Sequence, residues 1–167
     1  MKRNPARSAA DAPADTDPVR LDDLPGHHIR RLQQIAVALF LQETESTGIT
    51  PVQYAALQAV NQTPGLDQRT LARTIGLDTS TTGGVVDRLE ARGLLQRNAN
   101  PQDRRVRLLT LTEEGQALLL EVTPLMLRAQ HRILEPLSAA DRATFMRLTR
   151  RIVDAHHAVS RAPSESA

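Results

Sequence analysis

The sequence predicts a mainly α fold with one small β-hairpin, and three features of the 167-residue chain lead there. Long stretches space their apolar residues three and four apart, the period of amphipathic helices. Leu71-Ala72-Arg73-Thr74-Ile75-Gly76-Leu77 followed by Asp78-Thr79-Ser80-Thr81-Thr82 reads as a helix, a glycine turn and a capped second helix. Asn98-Ala99-Asn100-Pro101-Gln102-Asp103-Arg104-Arg105-Val106-Arg107 is a polar, turn-rich tip, with Leu94, Leu95 and Arg97 before it and Val106, Leu108, Leu109 and Leu111 around its far side. Two strands can pair across such a tip, and its Asn-Pro marks the turn.

Residues 1–23 are rich in Ala, Asp, Pro, Arg and Ser and poor in large apolar side chains, so they cannot offset their ordering entropy. They are expected to be a disordered tail, as are residues 161–167. Residues 24–49 hold the first helix, with Ile29, Leu32, Ala36, Leu39, Phe40 and Glu43 on one stripe and Gly48 at its end. Thr50 as N-cap and Pro51 at the first helical position start the second helix. Tyr54, Leu57 and Val60 carry it to Gln62, before the stop Thr63-Pro64-Gly65. The third helix spans Gln68 to Ile75; the fourth runs from near Ser80 to Arg92, with Val85, Val86 and Leu89 inward and Gly93 as the stop.

After the strand pair, Thr112 caps a long helix whose Glu113 and Glu114 suit the helix dipole. Leu118, Leu119, Val122, Leu125, Met126 and Ile133 widen its apolar face, and Pro124 is expected to kink it. Ser138, with Asp141 three residues on, starts a last helix carrying Phe145, Leu148, Ile152, Ala155 and Val159 to about Ser160. The order is that of a winged helix-turn-helix core, residues 50–112, between segments 24–49 and 113–160. Those outer segments are strongly apolar and far apart in sequence, so they need a partner surface. A second copy would supply it, and the two-fold symmetry of a homodimer matches palindromic DNA.

Composition narrows the function. With no cysteine, disulfide scaffolds, thiolate metal sites and thiol redox chemistry are excluded. No apolar run approaches the roughly 20 residues of a membrane span and no signal-peptide core is present. A cytoplasmic protein, associated with the nucleoid when bound to DNA and with no membrane partner, is expected. Lys2 is the only lysine among 21 basic residues, a bias that a genome rich in arginine codons would produce. Its distribution says more. Residues 69–107 hold eight arginines against four acids, a local excess of four in a chain whose net charge is only +2. Phe40, Tyr54 and Phe145 are too few aromatics for the stacking platforms of single-strand binders, so double-stranded DNA is the better target. No phosphate loop, nucleophile elbow or metalloprotease helix is present, so no enzymatic activity is assigned. His27-His28 and His156-His157 are weighed as metal ligands, but adjacent histidines on a helix diverge by about 100°, leaving one well-aimed ligand per pair. Solvated or ligand-contacting histidines are therefore expected, with no metal and no cofactor.

Leu77-Asp78-Thr79-Ser80-Thr81, Val86-Asp87-Arg88-Leu89-Glu90-Ala91-Arg92-Gly93-Leu94, Pro101-Gln102-Asp103-Arg104-Arg105 and Leu111-Thr112-Glu113-Glu114-Gly115 occur in an order and spacing that closely resemble the MarR family of bacterial regulators. The resemblance covers about residues 25–160. It implies that the first, fifth and sixth helices form a dimer interface, the fourth enters the major groove and the wing enters the minor groove. It also implies that small ligands, often aromatic acids, lodge between the dimerisation and DNA-binding regions and release the DNA. Carried over by position, Arg105 is the wing-tip arginine and Asp103 the acid that holds it. Thr79, Ser80 and Thr81 lie at the start of the reading helix, and Thr82, Arg88, Arg104 and Arg107 complete the expected DNA contacts. Gly83-Gly84 departs from the family, whose members often have a polar or basic pair there. Each glycine weakens a helix by roughly 1 kcal/mol relative to alanine. Either the backbone approaches DNA closely, or a loose helix packs tightly on its neighbour.

Pro25-Gly26-His27-His28-Ile29-Arg30-Arg31, Gln34-Ile35-Ala36 and Thr50-Pro51-Val52-Gln53-Tyr54-Ala55 resemble the branch of the family that represses degradation of nicotinate and related aromatic acids. That resemblance implies a small aromatic carboxylate effector, nicotinate-like or benzoate-like. A carboxylate wants a guanidinium and hydrogen-bond donors, which His28, Arg31 and Gln34 offer, with Phe40, Tyr54 and Leu57 for the apolar side. The alternative is that Arg30 and Arg31 are simply exposed helix residues. Oxidants and urate are poor candidates, since the chain has neither cysteine nor tryptophan. Two functions follow: a homodimeric repressor released from a palindromic operator by such an acid, or a ligand-independent architectural DNA-binding protein. A repressor protects one or a few palindromes, whereas an architectural protein coats DNA with little preference.

Overall fold

The secondary structure of the computed structural model, which describes residues 18–156, is set largely by local capping chemistry. Helices α1 (Pro25–Glu43), α2 (Pro51–Gln62), α3 (Gln68–Ile75), α4 (Thr79–Ala91), α5 (Glu113–Leu134) and α6 (Ala139–Ala155) are joined by strands β1 (Leu66–Asp67), β2 (Leu95–Ala99) and β3 (Arg107–Leu111). Thr50 and Gln53 form a reciprocal capping box on α2. Asp67, Asp78, Thr112 and Ser138 each accept a backbone N–H three residues on, at the starts of α3, α4, α5 and α6. The chain divides into two units, Met1–Gln33 and Gln34–Ala167.

In the first unit a 3-10 turn at Leu21–Asp23 precedes α1. Asp23 N–H donates to the Arg20 carbonyl at 3.1 Å, and the His28 ring Nε2 lies 2.7 Å from the Asp22 carbonyl oxygen. The expectation of a disordered tail through residue 23 is thereby corrected at its end, because these local bonds order residues 21–23. The remainder of that tail through residue 17, the tail at 161–167 and the last turn of the final helix lie outside the described residues.

In the second unit the sheet order is β1-β3-β2, all antiparallel. The hairpin expected from sequence pairs Leu95 with Leu111 through Ala99 with Arg107. The third strand, in which Leu66 pairs with Leu109, is an addition; two residues carry no readable alternation. Leu57, Val60, Leu71, Val86, Leu89 and Leu109 are at most 1% exposed and form the centre of the core. Full burial of each such side chain contributes about 1.5–3 kcal/mol. α5 continues as one helix through Pro124. The carbonyl that loses its donor there belongs to Leu120, which at 78% exposed has water available.

The start of α5 is locked to the end of the α4 segment. Thr112 Oγ1 donates to the Gly93 carbonyl at 2.6 Å and accepts from Gly115 N–H at 3.0 Å, while Thr112 N–H donates to the Leu94 carbonyl at 3.3 Å. A Cβ on Gly115 would lie 1.9 Å from the Leu94 carbonyl oxygen, so only glycine fits. Further along, Glu43 at the end of α1 accepts from Arg128 Nε at 3.0 Å and Arg132 Nη1 at 2.9 Å. Those hydrogen bonds hold the Glu43 carboxyl below its ordinary range. Other surfaces lack partners among the described residues. α6 buries no residue, and Leu120, Leu127, Ile152 and Val153 are all more than half exposed. No helix among the described residues is long and apolar enough to cross a membrane.

Gly115→Ala is expected to destabilise the protein by about 3 kcal/mol or more, since the new methyl meets rigid backbone rather than a movable side chain. Thermal denaturation measures it; a melting temperature equal to the parent's would contradict the locked junction.

Candidate nucleic-acid interface

α3 and α4 are joined through Gly76, whose φ of 71° lies in the left-handed region and turns the chain sharply before Asp78. Asp78 then accepts from the Thr81 N–H at 2.8 Å and from the Thr81 hydroxyl at 2.5 Å. These bonds, that of the hydroxyl first, hold its carboxyl below the usual carboxylate range. Thr79, Ser80 and Thr81 are exposed at the first turn of α4. Such a turn directs free backbone N–H groups and a partial positive charge outward. Thr82 departs from the expected contact set. It is fully buried and its hydroxyl donates to the Asp78 carbonyl at 2.8 Å, because it shares the inward face of α4 with Val85, Val86 and Leu89. The carbonyl of Thr79 accepts from Gln68 Nε2 at 3.3 Å, fixing α3 against α4.

The wing is tied to the same helix. Arg97 on β2 reaches across to α4, donating through Nη2 to Asp87 Oδ1 at 2.6 Å and through Nη1 to Glu90. Its backbone N–H also donates to Glu90 Oε1 at 3.3 Å. Partial burial works against the charged guanidinium, but the two carboxylates outweigh it and raise the Arg97 pKa. From sequence Arg97 counted as a strand residue beside the tip and as a positive charge; its partners lie seven and ten residues away and meet it only because the chain reverses after α4.

At the tip, Asp103 Oδ1 accepts from the backbone N–H of Arg105 at 3.0 Å. Asp103 therefore holds the turn rather than the Arg105 guanidinium, a correction to the expected pairing; a carboxylate two residues away closes an Asx turn onto the main chain. Asn100 braces the tip likewise, accepting from Gln102 N–H at 2.9 Å. Arg88, Arg104, Arg105 and Arg107 are exposed, and no ion pair with a described residue engages them. The wing thus carries unspent guanidinium groups and is tied through Arg97 to the helix whose start is exposed.

Arg92, the C-cap of α4, was not singled out from sequence. It donates to the carbonyls of Gly48 at 3.1 Å and Thr47 at 3.2 Å, joining the far end of α4 to the turn after α1. Nothing in its linear surroundings signals partners 44 and 45 residues away.

For the expected effector residues, His28 and Arg31 lie exposed in the first unit. Beside them the His27 pKa is lowered, by desolvation first and then by the charges of Arg30, Arg31 and His28. In the second unit Gln34 is exposed, while Phe40 and Leu57 are 3% and 1% exposed and belong to the core. Tyr54 is half-buried, its ring centroid 6.0 Å from that of Phe40. A cleft of about 460 Å³ opens beside Leu41, Thr44, Gly48 and Ile49; none of the expected effector residues lines it. Among the described residues no three His, Asp or Glu side chains cluster as metal ligands, and His157 lies outside them.

The MarR family profile matches residues 49–106, from the start of the α2 segment into the wing. The HTH-type transcriptional repressor NicR of Pseudomonas putida is 32% identical over 143 residues, spanning 86% of this chain and 90% of NicR. The PcaV transcriptional regulator of Streptomyces coelicolor, solved in complex with its natural ligand, is 41% identical with a TM-score of 0.75, over 84% of this chain and 99% of that one. Bordetella bronchiseptica BpsR, whose DNA binding is regulated by 6-hydroxynicotinic acid, has a TM-score of 0.79 at 31% identity, over 83% of this chain and 99% of its own.

Arg97→Met is expected to leave two carboxylates facing each other without their cation and to loosen the wing. The stability loss should be about 1 kcal/mol, since the bridge is partly solvated. Hydrogen–deuterium exchange should accelerate in β2 and β3 and stay unchanged in α6; unchanged wing protection would remove this role from Arg97.

Proposed function

The chain belongs to the MarR family, and on that premise we propose that it is a homodimeric, sequence-specific transcriptional repressor that a small aromatic acid releases from a palindromic operator. The observation that carries this reading is the common frame of α4 and the wing. Arg97 is spent on holding the two together, which leaves Arg88, Arg104, Arg105 and Arg107 exposed for DNA. Thr79, Ser80 and Thr81 meet phosphates and base edges from the first turn of α4, while Arg105 enters the minor groove, whose narrow, negative stretches favour an inserted guanidinium. Asp103 serves by shaping the tip. The exposed apolar residues of α5 and α6 supply the dimer contact.

The effector reading rests on the relatives. BpsR responds to 6-hydroxynicotinic acid and PcaV has been solved with its natural ligand, which favours a regulated protein over an architectural one. On this chain Arg31 and His28 recognise the carboxylate of a nicotinate-like or benzoate-like acid. A ligand with higher affinity for a conformation whose reading helices are misplaced for successive grooves empties the operator by mass action. The Arg92 bonds to Thr47 and Gly48 give a route by which a shift at the end of α1 reaches α4.

Arg105→Ala is expected to weaken operator binding about tenfold or more with no change in melting temperature, because an exposed tip buries nothing in the free protein. Equal affinity at physiological salt would remove the minor-groove role. A panel of aromatic acids titrated against the protein–operator complex tests the effector: nicotinate-like or benzoate-like acids should release the parent, while Arg31→Ala should bind DNA and fail to respond. Release by none of these acids, or release that survives loss of both His28 and Arg31, would sink the assigned site.

A further inference from the structure

Gly84 weakens α4, and nothing among the described residues requires it. Glycine in a helix interior is less favourable than alanine because its unfolded backbone is freer. It is enforced where φ is positive or where a Cβ would collide. Gly84 is not among the positive-φ glycines. Its Cβ would meet only the Arg88 guanidinium, with Nη1 at 3.6 Å and Nη2 at 4.0 Å, an ordinary contact with the movable end of a side chain. Gly83 differs: a Cβ there would lie 3.1 Å from Gln68 Nε2, the group that fixes α3 to α4. The packing explanation that serves Gly83 therefore does not reach Gly84.

The position of Gly84 on the helix indicates where the requirement lies. Thr82, Val85, Val86 and Leu89 are the buried face of α4. At about 100° per residue Gly84 falls nearly opposite them, beside the exposed Ser80, Asp87 and Arg88. We propose that Gly84 is the point of closest approach between α4 and the operator, where the absent side chain lets the helix backbone settle against the base edges and Arg88 lie across it. This rests on the reading of the chain as a DNA-binding regulator. A methyl at this point holds the helix off the groove floor while making the free helix more stable, so stability and affinity move in opposite directions.

The test uses the full chain and duplex DNA selected from a randomised library by the parent protein. Gly84→Ala should raise the melting temperature by about 2–4 °C. It should also weaken binding to the selected duplex about tenfold or more. Affinity equal to the parent's overturns the inference, and so does a lowered melting temperature, which would give Gly84 a role inside the protein. If the parent enriches no sequence, the regulator reading fails and takes this inference with it. If the parent's selected duplex is lost by Arg105→Ala but kept by Gly84→Ala, only the assignment to Gly84 falls.

Discussion

Backbone meets backbone where Leu94 lies against Gly115, and that contact joins the end of α4, the base of the wing and the start of α5. Gly93, with a φ of 69°, ends the α4 segment, and Leu94 N–H returns to the Leu89 carbonyl at 3.0 Å. The chain then leaves as β2 and comes back as β3 to Thr112, which bonds to both Gly93 and Leu94. The end of α4, the base of the wing and the first turn of α5 are thus one hydrogen-bonded knot. A side chain at 115 has no soft neighbour to displace, so strain there would spread to all three.

Around that knot the arginines divide by what they face. Arg97, Arg92, Arg128 and Arg132 are engaged with acids or carbonyls of distant segments. Charge-assisted hydrogen bonds of this kind fix geometry. Arg104, Arg105 and Arg107 project from a tip whose main chain is braced by Asp103 and Asn100. A tip whose main chain is braced by these bonds and whose guanidinium groups are free suits a polyanion.

The outer helices follow a different logic. α4 and α2 bury their apolar faces within the chain, whereas α6 buries none and α5 leaves Leu120 and Leu127 in solvent. A second copy is the proposed cover, and it would join two copies of α4 at a set spacing. An effector that shifts that spacing needs no contact with DNA.

The sequence by itself determined what depends on neighbours a few residues apart. The caps at Thr50, Asp78, Thr112 and Ser138, the glycine turn at Gly76 and the hairpin from Leu95 to Leu111 all follow from local backbone chemistry and periodicity. The mainly helical winged fold and its family resemblance were legible for the same reason. Tertiary structure alone decided which groups remained available. It turned Thr82 inward, directed Asp103 to a backbone N–H, spent Arg97 on Asp87 and Glu90, placed Phe40 and Leu57 in the core and added Leu66–Asp67 to the sheet. It also separated Gly83, whose Cβ would meet Gln68, from Gly84, whose Cβ would meet the Arg88 guanidinium. Each of these depends on the rotation of a helix face or on a meeting of segments brought together by turns, and a linear pattern of residue types encodes such proximities only through the fold.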